Sequence, residues 1–143
     1  MTTADQLQQV FNANFVAYFQ TQVAHVNVQG RNFYSDHKLL GKIYEELQGQ
    51  VDVLAELIRA QGEFMPTTLS QIILDSVISD TPTEGSADEL LNQVRGVLDQ
   101  LRDQYLELAE VADEDEQDDI ANYAHERVLA LAKWLWQLDS TLA

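Results

Sequence analysis

The chain has 143 residues, 45% of them hydrophobic, which is enough for a packed core in a single domain spanning residues 1–143. Its formal net charge of −16 disfavours direct contact with nucleic acid or anionic lipid and attracts cations, although the same charge is also an ordinary source of solubility. The chain has no cysteine, no signal-peptide pattern and no long apolar run, so we expect a cytoplasmic protein without disulfides, thiolate-bound metals or a membrane span.

The first half of the chain predicts two long helices. Thr3 and Gln6 have the spacing of a capping box at the start of the first helix, which ends near Gly30. The second helix follows Ser35 and closes near Gly62. Apolar side chains recur in both at three- and four-residue steps. In the first helix they are Leu7, Val10, Phe11, Phe15, Tyr18, Phe19 and Val23.

The second half predicts a short helix and two more long ones. The connection is too long for a simple hairpin, and apolar residues between Leu69 and Val77 indicate a short amphipathic helix within it. Ser86 and Glu89 form a second possible capping box at the start of the third long helix. The acidic run 113–119 predicts a turn and the start of the fourth. No strand pattern occurs, so we predict an all-α four-helix bundle with a short extra helix between helices 2 and 3.

Four side chains could bind a metal ion. His25 and His37 are twelve residues apart, and Asp52 and Glu56 have the i, i+4 spacing that places them on one helix face. Imidazoles with carboxylates suit ferrous iron or zinc. These residues also have ordinary interpretations, because either histidine can be structural and the two acids can form a solvated pair on the helix surface. A dinuclear carboxylate centre inside the bundle needs Glu-x-x-His on two helices. The residues three positions before the three histidines are Gln22, Tyr34 and Asn122, so that centre is not expected.

Three segments carry a resemblance to a known family. They read A-H-V-N-V-Q-G-R-N-F-Y-S-D-H (24–37), I-Y-E-E-L (43–47) and V-D-V-L-A-E-L-I-R-A-Q-G (51–62). They resemble the Dps family of mini-ferritins, whose pattern is His-Trp-Asn-Val-x-Gly-x-Asn-Phe, a second His twelve residues after the first, and then Asp-x-x-x-Glu. The resemblance extends over nearly the whole chain and implies a ferritin-like bundle.

The resemblance also implies an activity and an assembly. Dps subunits form hollow shells of twelve with a ferroxidase site at each two-fold interface. By analogy, His25 and His37 are catalytic metal ligands from one subunit, and Asp52 and Glu56 are ligands from its partner. Ferrous iron is oxidised there, preferentially by hydrogen peroxide, and ferric mineral is stored in the cavity.

The chain departs from the family pattern at two site positions. The usual Trp after the first His is Val26, and the usual Asp four residues after the second His is Gly41, with Lys38 close by. The loss of that acid favours a mononuclear over a dinuclear site. A non-catalytic cation-binding shell therefore stays an alternative to the ferroxidase.

Contact with DNA is a third, weaker possibility. Because the lysine-rich tail of DNA-binding family members is missing and the charge is strongly negative, a DNA-protecting nucleoid protein is the less favoured function.

Other acidic and aromatic residues have two interpretations each. Glu45 and Glu46 are either mineral nucleation sites or a solvated helix face. Acids of the run 113–119 either line pores for entering cations or match the dipole of a helix N-terminus. Trp134 and Trp136 are expected to serve in packing and subunit contacts.

Overall fold

The computed structural model describes all 143 residues and contains five helices and no strand. The helices are α1 (Thr3–Asn27), α2 (Phe33–Ala60), α3 (Leu69–Asp75), α4 (Ala87–Glu114) and α5 (Asp118–Leu142). The predicted all-α four-helix bundle, with a short helix between the second and third long helices, is confirmed. None of the five helices is long and apolar enough to cross a membrane.

Two of the long helices, α1 and α4, begin with a capping box, and the box of α1 lies one residue from its predicted position. At the start of α4, Ser86 and Glu89 form the predicted box. At the start of α1 the box consists of Thr2 and Asp5, so the prediction of Thr3 and Gln6 was wrong by one residue. The reason is tertiary, because the Thr3 hydroxyl is buried and donates instead to a carboxylate oxygen of Asp115, 2.6 Å away at the end of α4.

The core lies among the four long helices. α1 packs along both α2 and α4, and α5 packs along α4. Because α1 has two neighbours, it buries polar residues as well as apolar ones, and the Asn14 side-chain amide donates to the carbonyl of Leu47 on α2 (2.9 Å). Phe19, expected on the apolar face, is 53% exposed because it lies on the side of α1 that neither neighbour covers.

Side chains bridge α2 and α5, whose backbones are further apart than those of the other neighbouring helices. Arg127 forms an ion pair with Glu46 (2.9 Å), and the hydroxyl of Tyr123 donates to the side-chain oxygen of Gln50 (2.7 Å). Tyr105 from α4 is fully buried beside Tyr123. Burial raises the pKa of both tyrosines, so they are neutral phenols at physiological pH. This polar layer occupies the bundle interior and contains a single carboxylate.

Candidate metal site

The last turn of α1 and the first turns of α2 bring His25 and His37 together. Their rings stack with centroids 3.9 Å apart and planes within 13° of parallel. Each ring also hydrogen-bonds to the backbone of the other residue. Nδ1 of His25 lies 2.6 Å from the carbonyl oxygen of His37, and Nδ1 of His37 lies 2.7 Å from the carbonyl oxygen of His25. The turn between the helices thus positions the two imidazoles as one unit.

These reciprocal bonds determine which nitrogen of each ring is free. A carbonyl oxygen can only accept, so each Nδ1 must carry the proton and donate. In a neutral imidazole the lone pair then lies on Nε2, the nitrogen available to a metal ion. Metal-binding histidines commonly have such a bond from the second nitrogen, because it sets the tautomer and the ring orientation. In this tautomer the pair presents two Nε2 atoms to a metal ion.

Gly41 makes this arrangement possible. A Cβ atom at this position would lie 2.7 Å from Cε1 of His25, closer than real Cβ contacts, and a tight 3.0 Å from its Nδ1. The His25 ring therefore rests against bare backbone of α2. Phe33 stacks at 5.0 Å on His37, and Tyr44 tilts against His25 at 5.1 Å. The sequence identified Gly41 only as a missing acid, whereas the structure shows that it leaves room for the His25 ring.

The cavity at the histidine pair has a volume of about 330 Å³ and contains more positive than negative side chains. Lys38 and Lys42 both line it, and its single carboxylate belongs to Glu45. Two ammonium groups oppose the binding of a divalent cation by this cavity alone. The histidine half of the predicted site therefore lacks the acidic ligands that it needs.

Asp52 and Glu56 lie elsewhere on α2, one turn apart and both exposed. Asp52 lines a separate cavity with Tyr18 and Met65 among its neighbours. Fifteen residues separate His37 from Asp52, which corresponds to about 22 Å along a helix. No group of three or more His, Asp or Glu side chains able to hold a metal ion occurs within the chain. Within a single chain, the predicted histidine ligands and the predicted carboxylate ligands therefore cannot bind the same ion.

Known proteins share this architecture. Residues 4–143 match the family described as ferritin-like domain. The chain is 28% identical to the DNA protection during starvation protein of Helicobacter pylori over 100% of both chains. It is 30% identical to the protein of that name from Listeria innocua, over 80% of this chain and 73% of the relative. The crystal structure of a Dps protein from Bacillus brevis matches with a TM-score of 0.93 at 26% identity, covering 99% of this chain and 95% of that one.

The chain belongs to the Dps family of ferritin-like proteins. The family assignment from the sequence motifs is therefore confirmed, as is the ferritin-like fold. The roles of His25, His37, Asp52 and Glu56 stay predictions, because neither the fold nor the likeness to other Dps proteins tests them.

The two glutamates at 45 and 46 of this Dps chain have different surroundings. Glu45 is exposed at the histidine cavity, whereas Glu46 is partly buried in its ion pair with Arg127. The pKa of Arg127 is raised overall, since Tyr105 and Glu46 outweigh the opposing effect of burial. The charge of Glu46 is thus largely neutralised within the bundle. Of the pair, Glu45 alone keeps a free carboxylate for the proposed mineral nucleation.

Sequence reasoning missed three residues that shape this Dps site. Lys42 could have been found from the sequence, because it follows Lys38 by one helical turn and so lies on the same helix face. Arg127 could also have been found, since it occupies a core position of α5 between the buried residues Ala124 and Leu131. Tyr44, which contacts His25, lies in a motif that we had interpreted only through its glutamates.

Proposed function

We propose that this Dps protein is a cytoplasmic ferroxidase that oxidises ferrous iron with hydrogen peroxide and stores the ferric product inside a hollow dodecamer. The observation that supports the proposal most strongly is the division of the predicted ligands into two incomplete halves, one where α1 meets α2 and the other further along α2. One half holds two imidazoles that donate from Nδ1 and so leave Nε2 for a metal ion, and the other holds two exposed carboxylates. Such halves complement each other when two copies meet across a two-fold axis.

In the proposed site, His25 and His37 of one subunit face Asp52 and Glu56 of the partner subunit. The imidazoles suit ferrous iron, and the hard carboxylate oxygens stabilise the ferric product. Each peroxide takes one electron from each of two ferrous ions, and cleavage of its O–O bond yields two water molecules after uptake of protons. Iron is the substrate of this reaction, and the negative charge of the shell draws it in.

The reaction should slow in acid. Binding requires the unprotonated Nε2 atoms, and a proton on either ring competes directly with the metal ion. The backbone carbonyls that accept from Nδ1 favour the neutral tautomer with Nε2 free, which preorganises the ligands.

The first test follows oxidation directly. Protein loaded anaerobically with ferrous iron receives hydrogen peroxide, and ferric absorbance is compared with a protein-free control. Fast oxidation with the iron kept in solution supports the proposal. His25→Ala and Asp52→Ala should each abolish the fast phase while the circular dichroism of the bundle is retained, since all four proposed ligands are outside the core. Wild-type rates in either variant would refute the ligand assignment.

A second test asks whether the site is shared between subunits. His25→Ala and Asp52→Ala chains are inactive separately but are co-expressed so that they assemble at random. A shared site then regains both ligand sets in about one quarter of cases, because each subunit at an interface has an even chance of supplying the intact half. A site within one chain would regain nothing. Activity near a quarter of the wild-type value therefore supports the intersubunit arrangement.

One alternative rests on the cavity itself. With Gly41 in place of an acid and two lysines beside the histidines, the protein could bind divalent cations without oxidising iron rapidly. Peroxide-dependent oxidation at the control rate, together with retained Co²⁺ binding, would support that non-catalytic shell. The name of the relatives points to protection of DNA, and we propose that removal of iron and peroxide provides it without contact.

A further inference from the structure

Sulfur is scarce in this chain. It has two methionines and no cysteine, so it contains two sulfur atoms. Met1 precedes α1, whereas Met65 lies in the connection between α2 and α3. Met65 is 39% exposed, so small molecules in solution can reach its thioether. Peroxide converts an accessible methionine to the sulfoxide, a change that replaces an apolar side chain by a polar one.

The segment before Met65 is fixed against α1 and α2. Gly62 allows the chain to turn after α2 with a φ of +87°. The side-chain amide of Gln8 on α1 donates to the carbonyl of Phe64 (2.8 Å). The ring of Phe64 packs on the Arg59 guanidinium, 4.1 Å from the ring centroid. These contacts hold the residue next to Met65 on the bundle surface.

Met65 lines the same cavity as Asp52, one of the predicted iron ligands. The cavity has a volume of about 310 Å³ and lies between α1 and α2. Asp52 is its single carboxylate, and the remaining lining residues are Phe15, Tyr18, Gln48, Val51 and Ala55. An iron ion bound by Asp52 would therefore share this cavity with a thioether.

We propose that Met65 is an oxidation site, at which the thioether takes an oxygen atom from hydrogen peroxide held beside the iron. The proposal rests on the proposed function, because iron bound by Asp52 brings the peroxide into the cavity. A lone pair of the sulfur attacks one peroxide oxygen, and the S–O bond forms as the O–O bond breaks. The thioether loses two electrons and the peroxide gains them. The other oxygen leaves as water with both protons, so the products are methionine sulfoxide and one water molecule.

The reaction at Met65 removes peroxide that iron cannot reduce. Each peroxide needs two ferrous ions, so peroxide beyond one molecule per two ferrous ions meets no ferrous electron donor. Iron at Asp52 still binds and orients oxygen donors, which concentrates the surplus peroxide beside the sulfur. Thiol-dependent reductases return the sulfoxide to the thioether and release the oxygen as water. Met65 is thus a reductant that can be regenerated.

A second thioether of equal exposure provides the matched control. Leu106 on α4 is also 39% exposed and lies outside the Asp52 cavity, and Leu106→Met conserves volume. Assembled Leu106→Met protein receives peroxide, and mass spectrometry of its peptides follows oxygen uptake at both sulfurs. The ratio of the two rates in metal-free protein is the baseline. With one ferrous ion per subunit and peroxide in excess, the ratio should rise at least about tenfold in favour of Met65. An unchanged ratio would overturn the proposal.

Two carboxylate variants test whether the preference comes from iron at Asp52. In the Leu106→Met chain, Asp52→Asn should return the ratio of rates to its metal-free value. Glu63→Gln removes the same charge from an exposed position outside the cavity, close to Met65 in sequence, and should keep the preference. A preference that survives Asp52→Asn, or that Glu63→Gln abolishes equally, would contradict oxidation directed by iron at Asp52.

The ratio of peroxide to iron separates this proposal from the ferroxidase. At one peroxide per two ferrous ions Met65 should stay reduced, and its oxidation should begin above that ratio. Rapid iron oxidation without preferential oxidation of Met65 would leave the ferroxidase standing and overturn the role of Met65. Iron-dependent oxidation of Met65 together with slow iron oxidation would support the oxidation site and contradict the ferroxidase alone.

Discussion

At the scale of single residues, the absence of a side chain at Gly41 determines where His25 lies. The imidazole occupies the space that a Cβ would fill, with Cε1 only 2.7 Å from that position. In this position the ring stacks on His37 and forms one of the two Nδ1–H···O bonds, the other coming from His37. In the family pattern an acid at this position is a candidate ligand, so the chain has replaced a possible ligand by a close packing contact.

Gly41→Ala should therefore harm metal binding without the usual gain in helix stability. An alanine within a helix normally stabilises the fold by about 0.5–1 kcal/mol relative to glycine. Gly96→Ala on α4, where a Cβ meets nothing within 4 Å, should show that gain in urea unfolding. Gly41→Ala should show none, and its Co²⁺ affinity should fall about 10- to 100-fold because the ring is displaced. Equal stability gains and normal Co²⁺ binding in both variants would contradict this role.

At the scale of helices, one carboxylate joins the start of α1 to the end of α4. Asp115 Oδ2 accepts from the Thr3 hydroxyl (2.6 Å) and from the Thr3 backbone amide (3.0 Å). The second bond satisfies one of the amides that a helix N-terminus leaves without an intrahelical partner. Both bonds favour the charged form, so the Thr3 hydroxyl and then its amide hold the pKa of Asp115 below its usual value.

The link predicts a specific pH dependence of stability. Because the pKa of Asp115 is lower in the folded than in the unfolded chain, its contribution is present above the unfolded value of 3.8 and is lost as the pH falls through the folded value. Asp115→Asn should therefore lower the melting temperature at neutral pH, and the difference from wild type should vanish in strong acid. Asp113→Asn, two residues earlier and without a hydrogen bond to another helix, is the control and should change little at either pH. A deficit that persists unchanged in acid would contradict the charge-based explanation.

A buried ion pair and hydrogen bonds between side chains link α2 to α5. Arg127 is 6% exposed and contacts both Glu46 and the ring of Tyr105. A guanidinium at this depth needs its carboxylate, because an unpaired buried charge is strongly destabilising. Other ferritin-like bundles hold metal in this interior, whereas here it is occupied by the ion pair of Arg127 and Glu46.

At the scale of the whole molecule, positive charge is scarce and concentrated. The chain has eight basic residues against 24 acids, and its three lysines all lie near the α2–α5 side, Lys38 and Lys42 at the histidine cavity and Lys133 at a neighbouring one. A shell built from such subunits repels other polyanions and concentrates cations.

The charge distribution predicts that the protein does not bind DNA directly. In a gel-shift assay at physiological salt the assembled wild type should leave duplex DNA unshifted, because no basic surface is available to neutralise phosphates. A variant with a lysine-rich tail fused to its start supplies the positive control and should shift the DNA in a salt-dependent way. A shift by the wild type in the absence of multivalent cations would contradict the prediction.

The sequence by itself determined the helical architecture, the Ser86–Glu89 capping box and the family. Amphipathic periodicity, glycines at helix ends and a Ser–Glu capping box act over a few residues, so the chain order of α1 to α5 could be predicted without tertiary information. The His-x₁₁-His and Asp-x₃-Glu spacings likewise singled out the candidate ligands, although their roles still await the experiments above.

The tertiary structure alone decided how the site residues relate to one another. It shows that the two predicted ligand pairs lie apart within one chain, and it shows the stacked imidazoles, the fit of His25 onto Gly41 and the ion pair of Glu46 with Arg127. It also shows the first capping box one residue before its predicted position, because the buried Thr3 hydroxyl donates to Asp115 instead. These features depend on side chains that are distant in sequence and meet only when helices pack, and local periodicity carries no information about such contacts.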